Sequence, residues 1–308
     1  MSVVPENELQ AFVETPLEQL VTIANDVRKK YIGTKLDLCN ILNARCGLCG
    51  EDCKFCAQSV RHNTGVPAYP LKSKEEILQA ARNAQNIGAE RFDIVTSGNR
   101  PSSKELAIIT ETISQIKKEI GIATCASLGA LTKDELKMLK DAGLVRFHHN
   151  IETSRRFYPQ IVSTHTFDER IKTIKAAKEV GLQVCSGGII GMGETWADRI
   201  DMAYTLKELN VDSVPINVLI PIKGTPLESV RPISIEDVIR TICIFRIILK
   251  DKTIKIAAGR EATLKDSQIK AFAAGANGML IGGYLTVKGA SLEDDYALIL
   301  EIEKLWTQ

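Results

Sequence analysis

Four of the eight cysteines fall in one short run, Cys46-Gly47-Leu48-Cys49-Gly50-Glu51-Asp52-Cys53-Lys54-Phe55-Cys56. Within it Cys49, Cys53 and Cys56 stand in a Cys-x3-Cys-x2-Cys spacing, too tight for packing alone. Three thiolates presented from one loop can each hold one iron of a cubane cluster, leaving one iron open to an outside ligand. A zinc ribbon needs two Cys-x2-Cys knuckles roughly 15 to 20 residues apart, whereas Cys49 and Cys53 leave almost no gap between such pairs. The bacterial ferredoxin pattern, with a fourth Cys followed by Pro, is missing from the run. Disulfides are disfavoured because no secretory leader is legible and cytosolic thiols stay reduced.

Lys plus Arg (39) and Asp plus Glu (38) nearly cancel, so no charge excess argues for nucleic acid or an anionic membrane. The longest apolar run, Ile242 to Leu249, is interrupted by Arg246, and no membrane span is expected. A reducing, cytoplasmic setting is the expectation. The 44% apolar content is ample for a large core.

The elements that must position the loop are legible as a repeat. Short apolar runs at 36–45, 91–96, 122–127, 144–150, 182–190, 212–219, 254–258 and 278–282 alternate with amphipathic stretches at 73–88, 102–120, 132–142, 167–180, 194–209, 234–250 and 263–275. Ser73, Thr132 and Ser234 read as N-caps, and Gly88, Gly121, Gly143, Gly181 and Gly275 follow helices. Eight strands alternating with helices predict an α/β fold, a (β/α)8 TIM-type barrel spanning 36–308 and ending in a C-terminal helix. An N-terminal helical extension over 1–35 precedes it, with Phe12, Leu17, Leu20, Ile23 and Val27 at helical period. A doubly wound open sheet shows the same alternation, and the count of eight favours the barrel.

Barrel interiors are normally filled by Val, Ile and Leu. These strands instead carry Cys39, Asn43, Asp93, Cys125, His148, Asn150, Glu152, Cys185 and Asn217, with Arg260 just past the seventh. One buried cysteine is usually a small hydrophobe, and Cys243, among Ile239, Ile242 and Phe245, reads that way. Several such residues on one cavity read as a site. His148, Asn150 and Glu152 alternate along a strand end and so share a face, which is costly in a core unless they bind something.

The cysteine spacing with an aromatic residue before its last member resembles the radical S-adenosylmethionine (SAM) enzymes. Gly50 to Ser59, Val184 to Thr195, Ser213 to Asn217, Lys223 to Leu227 and Ala258 to Glu261 resemble the biotin synthase family within that group, from about residue 36 to the end. The resemblance implies that Cys49, Cys53 and Cys56 hold a 4Fe-4S cluster that chelates SAM. It places Phe55 and Ile189 against the adenine, Asn150 and Glu152 at the ribose and methionine parts, and Arg170 on the SAM carboxylate. Without it, Arg170 reads as a solvated surface charge, and the glycines at 187–193 as an ordinary tight turn. It implies dethiobiotin as substrate, biotin as product, sulfide from an auxiliary iron-sulfur cluster, flavodoxin or ferredoxin as electron donor, and a homodimer.

For the auxiliary cluster the resemblance carries over Cys125, Cys185 and Arg260 as catalytic ligands, but Asp93 stands where the family has Cys. Either Asp93 ligates iron in a 2Fe-2S site, or Cys39 and Cys46 join Cys125 and Cys185 around four irons. His148 likewise stands where the family has Asn, beside the expected substrate contacts Asn150 and Asn217. Two alternatives remain: a related radical SAM mutase or hydrogenase-maturation enzyme, and an iron-sulfur electron carrier. The carrier has no use for an open iron.

Overall fold

The structure is a computed structural model that describes residues 6–283 and 289–307. The first five residues of the expected extension, and Gln308, lie outside the described residues. Two helices, α1 (Glu6–Glu14) and α2 (Leu17–Tyr31), lead into the first strand. The sheet strands are β1 (Asp37–Arg45), β2 (Arg91–Thr96), β3 (Ala123–Ser127), β4 (Arg146–His148), β5 (Gln183–Cys185), β6 (Gly188–Ile190), β7 (Ser213–Val218), β8 (Thr253–Ile256) and β9 (Gly278–Leu280).

Every strand pairing is parallel. The order β5-β4-β3-β2-β1-β9-β8-β7-β6 is closed by a β5–β7 pairing at Cys185 and Ser213. That closure decides between a barrel and an open sheet. The nine segments are eight barrel strands, because β5 and β6 are two halves of the fifth, interrupted at Ser186-Gly187. Only glycine fits the interruption: a Cβ on Gly187 would stand 1.9 Å from the Pro215 carbonyl oxygen.

Helices α3 (Lys74–Asn86), α4 (Ser103–Glu119), α5 (Lys133–Ala142), α7 (Phe167–Glu179), α8 (Trp196–Glu208) and α9 (Ile235–Leu249) ring the barrel, with the single-turn α6 (Tyr158–Ile161) before α7. Ser73 and Thr132 close capping boxes with Glu76 and Glu135, and the Ser234 hydroxyl accepts from the Asp237 N–H. Buried Ile77, Ile113, Leu136 and Ile174 face buried Phe92, Ile94 and Phe147 in one continuous core. Cys243 is core, as its helical neighbours predict.

The barrel ends in α10 (Arg260–Leu264), α11 (Gln268–Ala273) and α12 (Leu292–Thr307). Helix α2 lies along α9, and its buried Arg28 guanidinium sits 4.6 Å over the Trp306 ring of α12. Among the described residues no helix is long and apolar enough to cross a membrane.

Candidate active site

The cysteine loop leaves the C-terminal end of β1, the face on which barrels of this kind carry their chemistry. It is held by backbone: Cys49 N–H donates to Gln58 O (3.1 Å), Val60 N–H to Cys49 O (2.9 Å), Cys56 N–H to Cys53 O (2.9 Å) and Lys54 N–H to Ile161 O (2.9 Å). Asp52 pins the loop to the segment after α6, accepting from the N–H groups of Ser163 (2.9 Å) and Thr164 (3.2 Å). Against the desolvation that raises it, these donors and the two hydroxyls hold the Asp52 carboxyl well below the usual range. Cys49 and Cys53 are buried and Cys56 half-buried, all as free thiols. Burial pushes the Cys56 thiol up to about 11, so metal binding there displaces its proton.

Beneath the loop lies a polar network. Arg170 donates from Nε to the Tyr158 hydroxyl (2.8 Å), from Nη1 to the Asn150 carbonyl (2.9 Å) and from Nη2 to His165 Nε2 (3.1 Å), and its Nη1 stands 3.8 Å from Glu152 Oε1. A guanidinium only donates, so His165 Nε2 accepts and its Nδ1–H donates to Glu51 Oε2 at 2.8 Å. Arg170 is therefore a half-buried organiser and not a solvated surface charge. Glu51, Tyr158 and His165 escaped the sequence reading. The one available signal was scarcity, since the chain has only four histidines. Glu152 takes φ 67, rare for a side chain of its kind, because its N–H bonds Gly187 O (3.1 Å) while its C=O receives Ile189 N–H (2.8 Å). These two bonds lay Glu152 and Ile189 side by side at the mouth.

Below the mouth is a cavity of about 300 Å³ enclosed by the strands. Cys39, Cys125 and Cys185 line it together with Asp93, His148, Asn150 and Asn217, as the sequence reading expects. Two cations that the sequence reading did not single out, Arg146 and Lys255, line it as well. Lys255 bonds Asp37 Oδ1 (2.6 Å) and touches the Cys39 sulfur, while Asp37 Oδ2 meets Arg91 Nε (3.2 Å) and Arg146 Nη1 (3.7 Å). Although burial raises it, the Asp37 carboxyl is held well below its ordinary value by Lys255, Arg146 and Arg91. Burial pushes the Cys39 thiol up to about 12.

Two expected ligands are elsewhere. Arg260 opens α10 after Gly259 (φ 84), and its Nη2 bonds Asp295 Oδ1 (2.6 Å), on α12, and Glu261 Oε1 (2.8 Å), at the cavity rim, while its own side chain is not part of the cavity lining. The inward cation of that segment is Lys255, within β8. Cys46 is also outside the cavity. It lies seven residues along β1 from Cys39, about 20 Å at the strand rise, and its backbone pairs with Tyr69 instead. One small cluster does not span that separation, and the thiols that the strands bring together around the cavity are Cys39, Cys125 and Cys185.

The substrate contacts are also more engaged than expected. His148 Nδ1 lies 3.3 Å from Asp93 Oδ2 and Nε2 2.9 Å from Asn150 Oδ1. Asn217 donates to Gly188 O (3.1 Å) and accepts from Ala258 N–H (3.2 Å).

The donor sets suit iron-sulfur groups: three thiols on one loop pinned by backbone bonds at the mouth, and three more beside two buried cations inside. A closed parallel barrel with such a loop at its mouth defines a radical SAM protein, and residues 46–206 match the Radical SAM superfamily. Residues 215–303 match the Biotin and Thiamin Synthesis associated domain. The biotin synthase of Thermotoga neapolitana is 55% identical over 88% of this chain and 98% of that protein, and that of Thermotoga petrophila 51% identical over 97% and 99%. The chain belongs to the biotin synthase family. Among solved structures, methylornithine synthase superposes with TM-score 0.83 over 97% of this chain and 92% of that one, at 21% identity. The FeFe-hydrogenase maturase of Carboxydothermus hydrogenoformans gives 0.79 over 94% and 72%, at 20%. At such identities these two likenesses concern the fold alone.

Proposed function

We propose that the chain is a radical SAM sulfurtransferase that converts dethiobiotin to biotin. The observation that carries this reading is the second set of thiols, Cys39, Cys125 and Cys185, around an enclosed cavity below the cysteine loop. An electron carrier needs no such cavity, and a mutase needs no second thiol set. The relatives named biotin synthase, at about half identity over nearly their whole length, support the same conclusion.

When bound, the 4Fe-4S cluster with SAM supplies reductive carbon-sulfur cleavage and hydrogen abstraction, and the auxiliary iron-sulfur group supplies the inserted sulfide. Cys49, Cys53 and Cys56 hold the first group and leave one iron for SAM. Arg170, Asn150 and Glu152 bind the polar parts of SAM, and Phe55 and Ile189 its adenine. Asn150 and Asn217 face the substrate, and the closed strand wall excludes water from the reacting carbon. Cys39, Cys125 and Cys185 hold the sulfide-donating group of two or four irons, with Arg146 and Lys255 offsetting the charge of the thiolates. A reduced flavodoxin or ferredoxin is the electron source, and a cytoplasmic homodimer the working form.

The test is an iron and sulfide count with Mössbauer spectra on anaerobically reconstituted protein carrying Cys49→Ala, Cys53→Ala and Cys56→Ala. About four irons remaining per chain would mean a rebuilt donor. About two would mean that the smaller cluster survives with a ligand other than Arg260. No remaining iron, or no biotin from the unsubstituted enzyme supplied with dethiobiotin, SAM and reductant, would refute sulfur insertion.

A further inference from the structure

Asp93 and His148 touch one another across the barrel. Asp93 is only 7% exposed, pairs across the sheet with Cys125 and lines the cavity. Its Oδ2 lies 3.3 Å from His148 Nδ1. The far ring nitrogen, Nε2, is 2.9 Å from Asn150 Oδ1. That Asn150 oxygen also receives the Gly187 N–H at 3.1 Å, while the Asn150 amide nitrogen faces Glu152 Oε2 at 3.4 Å, which fixes the amide's orientation. A carboxylate and an amide oxygen both accept, so both His148 nitrogens donate. His148 has no N–H left for a substrate. The other Asp93 oxygen, Oδ1, is buried and has no hydrogen-bond partner among the described residues.

A buried carboxylate oxygen without a donor is expensive. In a cavity that receives a small molecule, the donor it lacks is that molecule, a metal, or an ordered water that the molecule displaces. Iron is the poorer fit. Oδ2 is already committed to a doubly donating histidine, and three thiols stand ready without Asp93. The proposed substrate carries two urea N–H groups, and a carboxylate is a strong acceptor for such a donor.

We propose that Asp93 is a substrate-binding residue: Oδ1 accepts a urea N–H of the substrate, and His148 orients the carboxylate through Oδ2. The inference rests on the dethiobiotin reading above. It makes Asp93 a specificity determinant for cyclic ureas and leaves the auxiliary group held by Cys39, Cys125 and Cys185.

The experiment uses the full-length reconstituted enzyme and its Asp93→Ala and Asp93→Asn variants. Iron and sulfide are counted with Mössbauer spectra, and binding of dethiobiotin and of its urea N-methyl analogues is measured by equilibrium dialysis. Both variants should keep the iron, sulfide and spectra of the unsubstituted enzyme. Dethiobiotin should bind Asp93→Ala about 10- to 100-fold more weakly, the range for losing a hydrogen bond to a charged group. One N-methyl analogue should bind the unsubstituted enzyme at least about tenfold more weakly than dethiobiotin, and that discrimination should vanish in Asp93→Ala. Loss of iron or a changed auxiliary spectrum in both variants would make Asp93 a ligand and overturn the proposal. Unchanged iron with unchanged affinity and discrimination would overturn it as well. Should the unsubstituted enzyme make no biotin, the functional reading itself fails. Biotin formation with an indifferent Asp93 would sink this inference alone.

Discussion

Cys39 and Cys46 stand in one strand and its exit, and only geometry tells them apart. Cys39 faces the cavity with Cys125 and Cys185, whereas Cys46 pairs with Tyr69 at the mouth. In protein already lacking Cys49, Cys53 and Cys56, Cys39→Ala should therefore lower the residual iron count, and Cys46→Ala should leave it unchanged. Chemical iron analysis after anaerobic reconstitution reads both, and equal losses would restore the four-cysteine set. Arg170 makes a second residue-scale case. It is fixed by Tyr158, His165 and the Asn150 carbonyl, so Arg170→Gln should weaken SAM binding by about tenfold or more, the worth of a charged hydrogen bond. The 4Fe-4S iron should be unaffected. Equilibrium binding of SAM to the reconstituted variant checks this, and unaltered affinity would remove Arg170 from the site.

Elements place these residues through short-range signals and a few close approaches. Capping boxes at Ser73, Ser102, Thr132, Thr166 and Thr195 start five barrel helices. Thr132→Ala, outside the cavity lining, should cost about 1 kcal/mol in urea unfolding and leave turnover unchanged. Gly187 is the opposite case. A methyl there would meet the Pro215 carbonyl at 1.9 Å and would push apart the two halves of the fifth strand, whose Gly187 O anchors Ile151 and Glu152. Gly187→Ala should therefore abolish SAM-dependent activity while the far-ultraviolet dichroism stays barrel-like. Full activity in that variant would mean that the mouth tolerates a shifted Glu152.

At the scale of the whole molecule, the barrel closes over charge. Asp37, on the first strand, answers Lys255 from the eighth segment, Arg91 from the second and Arg146 from the fourth. Asp37→Asn strands these cations in a buried site, at a cost of about 3–5 kcal/mol. The unfolding midpoint in urea should fall accordingly, and an unmoved midpoint would show that the bound iron-sulfur group carries the compensation instead.

The chain's order of strands, helices and caps was legible because each rests on neighbours a few residues apart: apolar period, an N-cap hydroxyl, a glycine after a helix. So was the gathering of Cys49, Cys53 and Cys56 on one loop, since they lie within eight residues of sequence. Tertiary structure alone decided which way Arg260 turns, that Lys255 and Arg146 face inward, and that Asp93 meets His148 across 55 residues. The physical reason is that these contacts join different strands. Their partners are set by barrel closure and strand register, which depend on the summed packing of the whole chain and leave no local trace in the sequence.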